Sequence, residues 1–394
     1  MGHSEEVTFL QQAKIIVIGA GFTGVAVAHD LALRGFKVTV FERGPIANGT
    51  SGRTHGLLHS GGRYAVDDPE SARECIQENS ILRRIVPECI EPNGGLFVAL
   101  DEADQAYAPS FIKGCQACHI PLEKLTPAEA LKLEPALNPN IKDAYLIPDG
   151  TFDPLRLALA FAATAMHNGA EFHCYSEVTG FQHDGQGRIC GIEYWQRNNG
   201  QRSEKSADLI VNATGAWAGQ VCRMAGQAEI LVKPTPGVMV AYDRRLTQRV
   251  INRLNKPGDG DIIVPQRRML VVGTTSFDAD DVDYIPIDQQ QVKLMYERGC
   301  ELVPGLANTR QRGVYMATRP LLAGGATGRS LTRTFKCFDH LETQGVDGLI
   351  TITGGKATTL RAMAEATSDL VCRKLGVNIP CRTREIPLLS YRAY

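Results

Sequence analysis

Several things are scarce in this chain, and each scarcity excludes something. No apolar stretch in its 394 residues reaches the roughly 20 residues of a membrane-spanning helix. The run Ile15 to Ala28 resembles the apolar region of an export signal. However, Gly19, Gly21 and Gly24 interrupt it, and acidic Glu5 and Glu6 precede it where such signals carry positive charge. Neither sign of charge is in surplus: 42 basic residues against 43 acidic ones leave a net charge of −1. No global field therefore recommends nucleic acid or a lipid surface as a partner, although a local basic pocket stays open. Cysteines number eleven, odd and scattered, which is expected of reduced thiols in a cytosol. One spacing, Cys115-Gln-Ala-Cys118-His119, spells a haem-attachment motif. Tyr107, Phe111, Cys115 and Cys118 fall at helical spacing on one face, so both thiols are expected in a core. No second Cys/His pair stands at ligand spacing, so no metal site is expected. Internal repeats and low-complexity linkers are also missing.

What is present begins at Lys14, in KIIVIGAGFTGVAVAHDLALRGFKVTVFE. This reads as strand, glycine turn, helix, turn at Gly35 and strand. Further helices are expected from Asp68 towards Val86, over about Asp104–Cys118 and Pro127–Leu133, and from Pro154 to Asn168. Another follows Asp288 to about Leu302, with Asp288 as N-cap. Alternation and turn signals from about Lys233 to Tyr284 predict an antiparallel sheet. Gly348 to Gly376 repeats the strand, glycine turn and helix of the opening. A chain that begins and ends this way is expected to be α/β, with a Rossmann-like dinucleotide-binding domain built from discontinuous segments (13–90, 146–228 and 312–394). An inserted substrate-binding domain of antiparallel sheet and helices would occupy 91–145 and 229–311.

Gly19-Ala20-Gly21-Phe22-Thr23-Gly24 is G-x-G-x-x-G. The motif is weak alone, but here it follows an apolar strand and opens a helix. Glu42 ends the next strand, placed to bond a ribose hydroxyl. Glycines let the backbone approach a pyrophosphate, and the helix N-terminus stabilises its charge. Two more strand ends have small-residue turns: Val211-Asn-Ala213-Thr214-Gly215-Ala-Trp217 and Thr351-Ile-Thr-Gly354-Gly355-Lys356. A nicotinamide enzyme usually needs only the first unit. Three such turns favour FAD, whose long arm passes between them.

These pieces carry a family resemblance. GAGFTG, VFER, THGLLHSGGRYAV, SARECIQEN, IPDGTFDP, NATGAW, KPGDGDIIVP, TRPL and ITGGK, spread over nearly the whole chain, resemble the FAD-dependent oxidoreductases of the D-amino-acid-oxidase superfamily. Within it they are similar to glycerol-3-phosphate dehydrogenases, most of all the catalytic large subunit of the anaerobic bacterial enzyme. The resemblance implies non-covalent FAD held by the first glycine turn, Glu42, Arg43, Thr50, Ser51, Gly52, His55 and Val178. The turns Ala213, Thr214, Gly215, Trp217 and Gly354, Gly355, Lys356, Ala357, Thr358 would complete the cofactor site. It places His59 and His55 near the flavin as base or orienting groups. Arg63, Tyr64, Arg319 and Lys356 would hold a small phosphorylated substrate. The implied reaction is oxidation of C2 of sn-glycerol 3-phosphate, with electrons passed to an iron–sulfur or quinone-linked partner. The chain would then be cytoplasmic, peripheral to a membrane through its partners. Oxidation of a 2-hydroxy acid, an amine or imino-acid oxidase, and a flavin-binding subunit without turnover are the alternatives.

There are departures from the family pattern. Its large subunits continue into a cysteine-rich iron–sulfur extension, whereas this sequence stops at Tyr394, as a trimmed form or a shorter paralogue would. Met316-Ala317-Thr318 before Arg319, and Ala357 with Leu360, also differ, and both changes are expected to face the pocket.

Overall fold

The computed structural model describes residues 13–226, 230, 232–322 and 334–394. Met1 to Glu6, and the parts of the expected segments at 227–229 and 323–333, lie outside the described residues.

The strand Lys14–Ile18 sits near the centre of a six-stranded sheet ordered Phe335–Asp339, Leu349–Gly354, Leu209–Asn212, Lys14–Ile18, Lys37–Phe41, Glu171–His173. Its pairs are parallel except at the Phe335–Asp339 edge. Ile15 and Val17 face one core, shared with the helices Phe22–Leu33, Pro154–His167 and Leu360–Lys374. Ile16 and Ile18 face the other, shared with Ile189, Ile192 and Ile210. A strand buried on both faces reads as a continuous apolar run, which is why KIIVI shows no alternation. The second face is covered by a three-stranded antiparallel sheet of Ser176–His183, Ile189–Gln196 and Arg202–Ser206.

The other large sheet has eight strands, ordered Gln311–Leu322, Val232–Tyr242, Met269–Gly273, Ile262–Gln266, Val250–Arg253, Gly95–Ala99, Asp143–Ile147, Glu123–Leu125. One face packs Val238, Val240, Ile263 and Val272 against Val292, Met295 and Leu302 of the helix Gln289–Leu302. The opposite face presents Met239, Ala241 and Val271 with Tyr315 and Ala317. Gln311–Leu322 pairs with Val232–Tyr242 along its whole length. Residues 312–322 therefore lie in this sheet rather than in the dinucleotide-binding segment expected from the sequence. The strand lies at the edge of the sheet, where Pro320, opposite Pro234, is tolerated.

The expected helices appear where their caps stand. Asp68, Asp153 and Asp288 each accept a backbone N–H of the first turn, and Thr126 with Glu129 forms a capping box. Phe111, Cys115 and Cys118 are buried together, and burial pushes the Cys115 thiol up to about 12. The helices 69–85 and 360–374 are joined by a buried ion pair, in which Arg361 donates to both oxygens of Glu78 at 2.8 and 2.5 Å.

The glycine turn is set by a close approach. A Cβ on Gly24 would lie 1.8 Å from the carbonyl oxygen of Gly19, itself at φ +100°. Gly24→Ala must displace helix 22–33 from the strand end. We expect a loss of about 1–3 kcal/mol in chemical denaturation; wild-type stability would refute the contact. A second expectation concerns His29, fully buried edge-on to Phe161 with neither ring nitrogen hydrogen-bonded. Burial pulls its pKa from 6.5 down to about 4. Between those values the unfolded chain binds the proton and the folded chain does not, so stability is complete above the unfolded value and is lost on acidification. His29→Leu should remove one proton's share of that slope, about 1.4 kcal/mol per pH unit. Denaturation curves from pH 7 to pH 4.5 measure it, and an unchanged slope refutes it.

Candidate active site

A cavity of about 1020 Å³ opens at the carboxyl ends of the parallel strands, where ligands of doubly wound sheets bind. Its size matches the top of the roughly 300–1,000 Å³ range of small-molecule sites. Strand-end turns build one wall: Gly19, Gly21, Phe22 and Thr23; Glu42 and Arg43; Ala213, Thr214, Gly215 and Trp217; Gly354, Gly355, Lys356 and Ala357. Val178, Thr50 and Ser51 join them, and the eight-stranded sheet adds Met239, Ala317 and Arg319.

Four residues expected at the cofactor do not line the cavity, and each has a backing role. Ala20 is buried, and its N–H donates to Glu42 Oε2 at 2.9 Å. Gly24 carries the close approach. Gly52 is exposed, and its N–H donates to the Ala47 carbonyl at 2.9 Å. Thr358 is buried, and its Oγ1 accepts the His59 N–H at 3.1 Å.

The wall fits an ADP-containing cofactor. Gly21 is the N-cap of helix 22–33 and brings no side chain, and the first turn holds no acidic residue. The positive end of the helix dipole is thus presented towards an anion. Ser51 Oγ accepts the Phe22 N–H at 2.8 Å. Glu42 already accepts backbone N–H groups from Ala20 and Gly44, both at 2.9 Å. Its oxygens therefore have fixed positions, and each keeps a further lone pair for a hydroxyl donor.

Beyond this wall the stretch 51–64 forms 3₁₀ turns at Thr50–Arg53 and Gly62–Tyr64 and a two-residue strand at Leu57–Leu58. Its lack of period reflects anchoring by side chains from elsewhere. Ser60 donates through N–H and hydroxyl to Asp149, both at 2.7 Å. Asn79 Nδ2 donates to the carbonyls of Leu58 and His59 at 3.2 and 3.1 Å. Gln266 donates to the His55 carbonyl at 2.9 Å. Held in this way, His55, His59, Arg63 and Tyr64 line the cavity with Arg319 and Lys356.

The histidines differ. His55 Nδ1 accepts the Leu57 N–H at 3.1 Å. Burial, then the charges of Arg319 and Arg63, pull its pKa down to about 3. A neutral imidazole accepting at Nδ1 carries its proton on Nε2, so His55 is a donor. His59 Nε2 lies 3.5 Å from the Tyr64 hydroxyl.

The cations are oriented by neighbours. Arg63 donates to the Gly258 carbonyl at 3.0 Å and pairs with Asp261 at 3.3 Å. Arg319 donates to the carbonyls of Thr235 and Thr275 at 3.3 and 3.1 Å and to Thr274 Oγ1. Lys356 Nζ lies 5.1 Å above the Tyr64 ring and 3.9 Å from Glu74. Burial, offset in part by Lys356, raises the Glu74 carboxyl.

Asn79, Asp149, Thr274 and Gln266 also build the site. Asn79 ends SARECIQEN and Asp149 lies in IPDGTFDP, stretches that carry the family resemblance, but no role for them is read from the sequence. The expected departures divide: Ala317 and Ala357 face the cavity, whereas Met316 and Thr318 line a smaller neighbouring hollow and Leu360 is buried in the main core. Among the described residues, no cluster could hold a metal ion and no helix is long and apolar enough to cross a membrane.

Comparison with known proteins agrees with this geometry. Residues 14–370 match the family model described as FAD dependent oxidoreductase. The chain is 44% identical over 387 residues to a subunit of the anaerobic glycerol-3-phosphate dehydrogenase of Haloferax volcanii, covering 95% of this chain and 66% of that one. It is 42% identical over 382 residues to the corresponding subunit of the Escherichia coli K12 enzyme, covering 96% and 70%. The solved glycerol-3-phosphate dehydrogenase of Bacillus halodurans, complexed with FAD, superposes with a TM-score of 0.75 at 25% identity, over 98% of this chain and 70% of that one. The chain thus spans about two thirds of the length of these relatives. The strand-end turns, the glycine N-cap of helix 22–33 and these matches lead to one conclusion: the chain belongs to the family of FAD-dependent oxidoreductases, in the branch of the anaerobic glycerol-3-phosphate dehydrogenases.

Proposed function

We propose that the enzyme oxidises the C2 alcohol of sn-glycerol 3-phosphate to dihydroxyacetone phosphate and hands the electrons to a partner protein. The observation that carries this reading is the meeting of Arg63, Arg319 and Lys356, from three distant segments, with His55 and His59 on one cavity in a protein of net charge −1. Convergent cations suit a small phosphorylated substrate. FAD, when bound, supplies the acceptor for the C2 hydride.

The residues divide the remaining work. Arg319, whose carbonyl bonds fix its orientation without cancelling its charge, holds the phosphate with Arg63. His59 takes the hydroxyl proton as C2 becomes a carbonyl. His55 cannot take it, because its Nε2 is already protonated; it donates a hydrogen bond to substrate or cofactor oxygen. Lys356 stabilises negative charge between the two. Aligned relatives are named as subunits, which supports electron transfer to a partner rather than to oxygen.

In FAD-loaded protein, Arg319→Met and Arg63→Met should each lower kcat/KM roughly 10- to 150-fold, the value of a charged hydrogen bond of about 1.5–3 kcal/mol. A remote anchor binds ground and transition states alike, so the loss should lie mainly in KM. It should shrink with glycerol, which has no anion. An unchanged KM for glycerol 3-phosphate in both variants would move the search to hydroxy acids or amines. His59→Asn should instead lower kcat and remove the acid limb of the pH profile, whereas His55→Asn keeps that limb. Retention of the limb in His59→Asn refutes the assignment. Peroxide production matching dye reduction would likewise refute transfer to a partner.

A further inference from the structure

The connection 274–288 leads from the strand Met269–Gly273 of the eight-stranded sheet to the helix Gln289–Leu302. It crosses to the other side of the cavity, where Val282 and Asp283 join the lining. The chain turns there because Asp281 Oδ1 accepts the N–H groups of Asp283 and Tyr284 at 2.7 and 3.3 Å. Asp283 Oδ1 then accepts two donors: Arg43 at 2.9 Å and the indole N–H of Trp217 at 2.8 Å. The Arg43 guanidinium lies 4.5 Å over the Trp217 ring. Arg43 follows Glu42 at the end of one parallel strand, and Trp217 follows the turn that ends another. One carboxylate oxygen from the substrate-side sheet therefore ties together two strand-end turns of the cofactor wall, on the side where Glu42 stands to meet a ribose.

We propose that Asp283 is a positioning residue for FAD: it holds Arg43 flat against Trp217 and straps the connection 278–287 across the adenosine end, slowing loss of the cofactor. The inference rests on the family's use of FAD and is independent of the substrate. Glu42 and the glycine turn recognise the cofactor from the strand side. The Asp283 strap reaches the same end from the other sheet, so releasing it would open the cavity without removing any of those contacts. The Arg43 and Asp283 side chains are 34% and 52% exposed. The pair is therefore screened by salt, and its contribution is modest.

The test is release of FAD from diluted holoenzyme, followed by the rise in free-flavin fluorescence. Asp283→Ala should release FAD about 3- to 10-fold faster, the scale of a partly exposed ion pair plus one charged hydrogen bond, and Asp283→Glu should restore most of the retention. Arg43→Met should also speed release. Because Asp283 acts through Arg43 and Trp217, its removal from an Arg43→Met/Trp217→Phe background should add little. Release of FAD from Asp283→Ala at the wild-type rate would overturn the proposal. So would a full, multiplicative effect in that background, which would mean that Asp283 acts by another route. Activity on any substrate does not enter the measurement, so a wrong substrate assignment leaves the result readable.

Discussion

The site depends on the distance between helix 22–33 and the strand that precedes it. Where Gly24 passes Gly19, a single methyl group would come within 1.8 Å of a carbonyl oxygen. That approach sets the helix N-terminus directly behind the cavity wall, with a glycine as its N-cap and Ser51 Oγ accepting the Phe22 N–H. The neighbouring turns must then be small as well. Gly19 is confined by the backbone of Ala213 and Thr214, with a notional Cβ 2.9 Å from the Ala213 oxygen. The central strand and its neighbour thus meet at their ends through backbone, leaving room for an extended cofactor along them.

The second sheet adds to what the first supplies. The turns that follow the parallel strands offer backbone N–H groups suited to phosphate, and one of them brings Lys356. The strand Gln311–Leu322 brings Arg319, and its neighbours bring the carbonyls of Thr235 and Thr275 that orient it. The loop 51–64 bridges the two sheets, and its bonds to Asp149, Asn79, Gln266 and Thr358 come from four separate segments. Such a loop needs little secondary structure of its own, because its polar backbone groups are matched by side chains delivered from rigid elements.

This arrangement explains what the sequence disclosed. Elements whose determinants are local were legible: the KIIVI strand by its apolar run, helices by Asp68 and Asp288, and the glycine turns by composition. The family resemblance located His55, His59, Arg63, Arg319 and Lys356, which do share one cavity. Long-range partners were not legible. Nothing near Asn79 announces that its amide will reach the carbonyls of Leu58 and His59, and nothing near Asp261 announces Arg63. The strand 311–322 joins the eight-stranded sheet through pairing with Val232–Tyr242, a partner remote in sequence. The tautomer of His55 depends on the N–H two residues on, which becomes decisive only once the backbone geometry is known.

The electrostatics of the substrate end follow from the same long-range pairing. Three cations facing one cavity would repel one another strongly at the lower dielectric of a protein interior. Here Arg63 leans on Asp261 and Lys356 on Glu74, so part of the positive charge is compensated before any ligand arrives. The two acids are not equivalent. Asp261 is almost fully buried and close to its arginine, which keeps that pair fixed. Glu74 is farther from its lysine, and burial biases its carboxyl towards the neutral form, which weakens its hold on Lys356. Meanwhile Arg319 and Arg63, added to burial, hold His55 neutral, so the same charges that would attract an anion also keep a neutral N–H donor beside them. A single cluster thereby sets both the attraction for an anion and the protonation of its neighbouring histidine.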